Sequence, residues 1–337
     1  MAFEWANEAL ANAQLKSLGA GYYNSNYAVT HDGTPYVFRV PIPYSDLMDL
    51  RLIPEKDVLL FLETVGFPAP RLVHAAPADR YFLHSFVSGT CLNDVYPDCQ
   101  PLPDWIPGNL ASQMRKLHTY DSSSLAGHCR DLAASPDTRT FFRSLIASVR
   151  EIYDRVRPEF GGLLAKLRIP DDPLAVVEGT ERGLSFREFT LCHADVHRKN
   201  LMYDRDRGTL TFLDWELSLV ADPVYDIAVH LHKMRYSGVQ EERFIAAYLE
   251  QAGLSYLLAS YRNEIRIYRS IEHIKSAIVD AVRYAKDLRV SLLSEGQRLD
   301  YARRYRSKLA PAWALWGLPA DDLRSGSEWV LPLLLSA

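Results

Sequence analysis

The spacing of apolar positions changes near residue 90, from short β-prone runs to a helical period. Before that point the runs are separated by turn residues. Tyr36-Val37-Phe38-Arg39-Val40 follows the Asp-Gly turn of His31-Asp32-Gly33-Thr34, and Arg80–Val87 reads as a strand broken by Ser88-Gly89. One helix interrupts them. Glu55 opens an apolar-periodic run through Val58, Leu59 and Leu62, Gly66 ends it, and Pro68 and Pro70 turn the chain into a strand. Later segments have helical spacing: Leu110, Met114, Leu117 and His118; Phe141, Leu145 and Val149; then Asp226–Met234, Phe244–Gln251 and Glu264–Leu288. In the last of these, Ile267, Ile271, Ile274, Ile278 and Val282 form a stripe that reads as core, and its polar neighbours Glu272 and Asp280 are expected to face solvent rather than line a pocket.

Residues 189–216 carry the chemistry. Phe189-Thr190-Leu191-Cys192 is a short apolar run expected to be a buried strand that delivers His193-Ala194-Asp195-Val196-His197-Arg198-Lys199-Asn200 to a loop. Leu201-Met202-Tyr203 and Leu210-Thr211-Phe212-Leu213, separated by the turn cluster Asp204–Gly208, predict a hairpin that returns Asp214 toward Asn200. An Asp, an Asn five positions on, and a second Asp beyond a hairpin suit phosphoryl transfer: Asp195 steers a hydroxyl proton, and Asn200 and Asp214 hold Mg²⁺ through hard oxygen ligands. The competing reading takes His193, Asp195 and His197 as three metal ligands on alternate positions, which would make a metal-dependent hydrolase. That reading wants further His or carboxylate clusters and leaves Asn200 and Asp214 without a role; His230 and His232 form the only other close His pair.

Together with Leu213-Asp214-Trp215-Glu216 and Ala221–Ala228, this loop resembles the aminoglycoside phosphotransferase and choline kinase superfamily. The resemblance implies an α+β, bilobal protein-kinase-like fold. Its small N-terminal lobe, an antiparallel sheet plus one helix, would take residues 1–88 and bind nucleotide; the large, mainly helical C-terminal lobe would take residues 89–337 with the catalytic loop and the acceptor site. It further implies Asp195 as catalytic base, Asn200 and Asp214 as metal ligands, His193 as a brace of the loop and Asp226 as its anchor. The segment Leu18–Val29, with Asn24 and Ser25, would fold over the phosphates through backbone N–H groups, although it lacks a full G-x-G-x-x-G. Arg39 stands where protein kinases place the phosphate-holding Lys, with Glu55 as its ion-pair partner; the alternatives are a surface Arg on a strand edge and an exposed helix Glu. Backbone groups near Ser85 and Val87 would meet the purine edge, which leaves ATP and GTP equally open as donor. His197 stands where protein kinases usually carry a Lys; it either donates to the transferring phosphoryl group or hydrogen-bonds the loop.

Whole-chain properties add exclusions. The 337 residues are long enough for two lobes with real cores, and 48% hydrophobic content with a net charge of −4 gives no basic run for nucleic acid or a membrane surface. The start Met1-Ala2-Phe3-Glu4-Trp5 lacks the sections of a signal peptide, Trp329–Leu335 is too short to span a bilayer and is expected to pack on the large lobe, and Cys91, Cys99, Cys129 and Cys192 lack metal-ligand spacing. Added to the loop motif and the resemblance, these features complete the expectation of a cytoplasmic Mg²⁺-dependent kinase, monomeric or homodimeric, with no nucleic-acid or membrane partner. Carboxylates at Asp94, Asp98 and Asp104, and at Asp171, Asp172, Glu178 and Glu181, suit a polycationic acceptor. The same clusters read equally as polar loops, and it is the resemblance that makes the hydroxyl of an antibiotic such as an aminoglycoside or nucleoside the expected acceptor, for resistance or self-protection. The alternatives are a metabolic kinase for choline, a sugar or an amino alcohol, and a nucleotide-binding pseudokinase scaffold.

Overall fold

The computed structural model describes residues 4–11, 15–21, 23–42, 50–98, 100–126, 137–290, 293–319 and 329–336. The chain divides into two compact units, one of Met1–Ala134, Phe189–Asp226 and Lys233–Ser255, the other of Ser135–Glu188, Ile227–His232 and Tyr256–Ala337.

The first unit begins with α1 (Glu4–Ala11), β1 (Lys16–Ala20), β2 (Asn24–His31) and β3 (Thr34–Pro41), followed by α2 (Glu55–Thr64), β4 (Leu72–Ala75) and β5 (Phe82–Ser85). The strands form one antiparallel sheet in the order β1-β2-β3-β5-β4. Asp32 and Gly33, with φ of 49° and 74°, make the two-residue turn between β2 and β3, in the left-handed geometry that matches strand twist. Phe38, Tyr81 and Leu83 are buried under α1, which contributes Ala6 fully and Trp5, Ala9 and Leu10 in part. Trp5 also stacks on His31 with ring centroids 4.0 Å apart.

Beyond the sheet come β6 (Thr90–Cys91), α3 (Leu92–Val95), α4 (Trp105–Leu117) and α5 (Ser123–Ala126). Gly89 precedes β6 with φ 133°, and a Cβ there would lie 2.7 Å from the Tyr203 carbonyl oxygen, so only glycine fits the close approach. The second unit is entered by α6 (Thr138–Lys166), whose N-cap Asp137 accepts from the N–H groups of Arg139 and Thr140. The chain returns to the first unit through β7 (Thr190–Cys192), β8 (Leu201–Asp204), β9 (Thr209–Phe212) and β10 (Leu219–Ala221), with β7 paired to β10 and β8 lying between β6 and β9. The helices α7 (Pro223–Met234), α8 (Gly238–Gln251), α9 (Leu258–Val290), α10 (Glu295–Leu315) and α11 (Val330–Leu335) follow.

The Ile/Val stripe of α9 is buried at all five positions. Its polar neighbours correct the sequence expectation: Glu272 and Asp280 are only 1% and 8% exposed. Burial is tolerated because each is paired, Glu272 with Lys275 at 2.6 Å and Asp280 with Lys308 at 2.7 Å and the Ser276 hydroxyl at 2.6 Å. In α11, Val330 and Leu334 are buried, and the Trp329 ring lies 5.9 Å from that of Trp313. Cys91 and Cys192 are free thiols, while Cys99 and Cys129 lie outside the described residues. Among the described residues no helix is long and apolar enough to cross a membrane.

Candidate active site

Strand β7 ends at buried Cys192, and the next two residues are held by Asp226. Asp226, in the first turn of α7, accepts hydrogen bonds from the backbone N–H of His193 at 3.1 Å and of Ala194 at 2.7 Å, and lies 3.0 Å from His118 Nε2. Those bonds sustain Ala194 at φ 56°, a left-handed conformation that costs an alanine about 1–2 kcal/mol. His193 is fully buried, its Nδ1 accepting from the Asp195 N–H and its Nε2 donating to the Leu213 carbonyl, with the ring 4.3 Å from that of Trp215. The imidazole therefore links the loop to the segment carrying Asp214, and burial holds its pKa below the ordinary value.

The Asp195 carboxylate is engaged at both oxygens. Oδ2 accepts from Asn200 Nδ2 at 3.1 Å, while Oδ1 accepts from Lys233 Nζ and lies 3.5 Å from His197 Nε2. Burial alone would raise its pKa, but Lys233 and His197 outweigh burial and hold it below the usual carboxylate range. His197 caps the helical turn Arg198–Asn200 by accepting from the Lys199 N–H at 3.3 Å. Burial lowers its own pKa, Lys233 adds to the effect, and Asp195 opposes it. With Nδ1 accepting from the Lys199 N–H, the ring turns Nε2 toward Asp195. Arg198, also buried, donates Nη1 to the carbonyls of Tyr96, Pro97 and Gln100 at 2.7–3.0 Å.

Across the hairpin, the register Leu201↔Phe212 and the bond from Leu213 N–H to the Asn200 carbonyl at 2.8 Å set Asn200 beside the residue preceding Asp214. Asp214 takes φ 63°, ψ 68°. Its Oδ1 lies 2.7 Å from Arg39 Nη2, which also lies 2.8 Å from Glu55 Oε2 and 2.8 Å from Glu216 Oε2. Glu55 Oε1 accepts from the Trp215 N–H at 3.1 Å, and Glu216 Oε2 accepts from Asn24 Nδ2 at 2.6 Å.

Three carboxylates thus share one guanidinium, and the imbalance shows in their titration. Burial, helped by Asp214 and opposed by Arg39, pushes Glu55 up to about 7. Burial and Asp214 likewise push Glu216 up to about 8. Arg39 is raised as well: burial would lower its pKa, but Glu55, Asp214 and Glu216 outweigh burial and hold it above the ordinary value. Ligand oxygens of Glu55, Asp214 and Glu216 all lie within 4.8 Å of one another. A set of hard oxygen donors with excess negative charge is what Mg²⁺ requires. Because Asn200 spends its Nδ2 on Asp195, its Oδ1 remains available as one more such donor. Arg39 Nε is buried with no hydrogen-bond partner among the described residues, and a phosphate oxygen would satisfy it.

The remaining expected residues fall as follows. Asn24 and Ser25 lie in the first two positions of β2, not in the turn, and the Asn24 side chain is committed to Glu216. The turn itself includes Gly21, whose N–H donates to the Asn24 carbonyl at 2.8 Å; Tyr22 lies outside the described residues. At Ser85 the N–H donates to the Arg71 carbonyl at 2.9 Å and the carbonyl lies 2.9 Å from His84 Nδ1. Val87 follows outside any strand. Sequence reasoning gave no role to Lys233, Glu216, His118 or Arg198. Lys233 had one available signal: it stands two helical turns after Asp226, on the same face of α7.

A largely buried loop held by Asp226, beside a carboxylate cluster gathered on Arg39, is an arrangement that suits phosphoryl-transfer chemistry. Residues 14–265 match the model of the phosphotransferase enzyme family, and the chain belongs to that family. The fold is the family's bilobal, protein-kinase-like one. Ethanolamine kinase 2 of Rattus norvegicus is 23% identical over 172 residues, covering 50% of this chain but only 41% of that relative, so the match spans about two-fifths of the curated protein's length. Among solved structures, an ethanolamine kinase of Plasmodium vivax superposes with a TM-score of 0.65 at 18% identity, covering 92% of this chain and 85% of the other. A thermostable mutant of aminoglycoside phosphotransferase APH(4)-Ia, in ternary complex with AMP-PNP and hygromycin B, gives 0.56 at 14% identity, covering 89% and 92%.

Proposed function

We propose that this chain transfers the γ-phosphoryl group of ATP or GTP to a hydroxyl of a small molecule in a Mg²⁺-dependent reaction. Residues 1–88 would form the nucleotide lobe and residues 89–337 the catalytic and acceptor lobe. The observation that carries the reading is the pair of linked constellations: Asp195 with Asn200 on the loop, and Arg39 with Glu55 and Asp214 across the hairpin. In this mechanism Asp195 orients the acceptor hydroxyl and takes its proton as the new O–P bond forms and the bond from the γ-phosphorus to the departing nucleoside diphosphate breaks. Arg39, braced by Glu55, grips phosphate oxygens through its unpaired Nε, and the buried cluster keeps the guanidinium from moving. Asn200 and Asp214 would hold the Mg²⁺, which when bound supplies positive charge for the phosphates. Backbone groups near Ser85 and Val87 would supply the edge for the purine.

The acceptor is best read as a small polyol, amino alcohol or similar metabolite. Several of the carboxylates that would have favoured a polycation are paired within the chain: Asp171 with Arg157, Asp172 and Glu178 with Arg150, and Asp104 with Arg243. An antibiotic acceptor is the second reading, supported by the fold shared with the hygromycin B complex. The free thiols Cys91 and Cys192 fit a reducing, cytoplasmic setting. Incubation with Mg-ATP and Mg-GTP against ethanolamine, choline, sugars, aminoglycosides, nucleoside antibiotics and macrolides, read by mass spectrometry, tests the proposal. One acceptor gaining one phosphoryl group is the expected result. Nucleotide binding without transfer to any acceptor or to water would instead support a scaffold.

A further inference from the structure

Helix α7 holds the catalytic loop twice. Asp226, in its first turn, fixes the backbone at His193 and Ala194, and Lys233, two turns further along the same face, reaches the Asp195 carboxylate itself. The first contact sets where the loop runs, but it leaves the Asp195 side chain free to rotate. Rotation is limited by Asn200 at Oδ2, and Asn200 must also present its Oδ1 elsewhere in the mechanism proposed above. At Oδ1 the neighbours are Lys233 Nζ and, at a looser 3.5 Å, His197 Nε2. Lys233 is 28% exposed along its side chain, near the C-terminal end of α7, where a cation is favoured by the helix dipole. The ammonium is thus neither a solvated surface charge nor a core salt bridge. It is a tether on one oxygen of the base.

Resting on the phosphotransferase reading, we propose that Lys233 is a positioning residue: its ammonium fixes the angle at which Asp195 Oδ1 meets the acceptor hydroxyl. By compensating the carboxylate's charge it also lets an anionic phosphoryl group approach the base without repulsion. The lone pair that takes the proton is the one on Oδ1 not directed at Nζ, so Lys233 need not leave for the reaction to proceed.

The test compares wild type, Lys233→Met and Lys233→Arg in the full chain. Two readouts are used: phosphate release from Mg-ATP with water as acceptor, and product formation with the acceptor found in the screen. Met keeps the length and removes the charge, whereas Arg keeps a cation that reaches the carboxylate. The expected result for Lys233→Met is a fall in kcat of about tenfold or more with KM for Mg-ATP within twofold, as for a misaligned base. Lys233→Arg should recover most of the loss. In an Asp195→Asn background, Lys233→Met should cost little more, because a residue acting through Asp195 has nothing left to position. Unchanged kcat in Lys233→Met overturns the proposal, as does an Arg variant as poor as Met, or a loss of the same size in the Asp195→Asn background. A thermal midpoint lowered in proportion to the lost activity would assign Lys233 a structural role instead. If wild type transfers phosphate neither to an acceptor nor to water, the phosphotransferase reading itself falls, and this proposal with it.

Discussion

At Asp195 the chain keeps a carboxylate ionised inside a buried loop, and the burial cost is offset by Lys233, His197 and Asn200. A base that is already ionised needs only alignment, so the mechanism asks little proton affinity of it in the resting state. Asp195→Asn keeps the size and the contact to Asn200 while removing the base. Turnover should fall by roughly 10²–10⁴, and Mg-nucleotide affinity, measured by calorimetry, should stay within a few fold. Full activity in that variant would end the assignment. Asp214→Ala makes the opposite prediction. It removes a carboxylate from the Arg39 cluster, so metal-dependent nucleotide binding should be lost while metal-free binding changes little. Equal affinity with and without Mg²⁺ in both wild type and variant would contradict the metal role.

At the scale of elements, α7 decides whether the loop exists in a usable form. Asp226 is fully buried and accepts two backbone N–H groups beside His118. Asp226→Asn should destabilise the fold by about 2–4 kcal/mol in urea denaturation, because an amide cannot accept the same bonds without burying an unpaired donor. The pH sign follows from the direction of its shift. Burial opposes ionisation, but His118 and the backbone donors win, so the folded pKa lies below the unfolded one. The stabilisation is full above the unfolded carboxylate pKa and is lost as pH falls through the folded value; the variant should lose that acid dependence.

Elements such as the Asp32-Gly33 hairpin and the β8–β9 hairpin were legible in the sequence because their signals are local, a turn residue pair between apolar runs. So was the order Asp195, Asn200, Asp214. Helix α10 was not: its buried face is thin, drawn from Ala302, Tyr305, Leu309, Ala312 and Trp313, and Pro311 sits inside it. The bond from Asn24 to Glu216 joins residues 192 positions apart, and the pairing of Glu272 and Asp280 depends on which neighbours pack against α9. Such contacts are set by tertiary packing, which periodicity does not record.

Across the whole molecule, stability against pH is a competition between buried groups of opposite sign. Burial lowers His84, in the first unit, and His273, in the second, each to about 4. The unfolded chain takes up these protons near pH 6.5 while the folded chain refuses them, so both histidines weaken the fold as pH falls from about 6.5 toward 4. Glu55 and Glu216, raised to about 7 and about 8, act in the opposite direction: the folded state binds their protons first, and acidification through that range favours it. The net slope of wild type is therefore a small difference that identifies neither pair. A His84→Gln, His273→Gln double variant separates them. Each substitution should remove about 1–2 kcal/mol of acid destabilisation between pH 6.5 and 5. The variant's unfolding free energy in urea should accordingly hold level or rise across that interval while that of wild type falls relative to it. Parallel curves for the two proteins would mean that the two imidazoles gain protons as readily in the folded chain as in the unfolded one, and that their burial does not govern the acid limb.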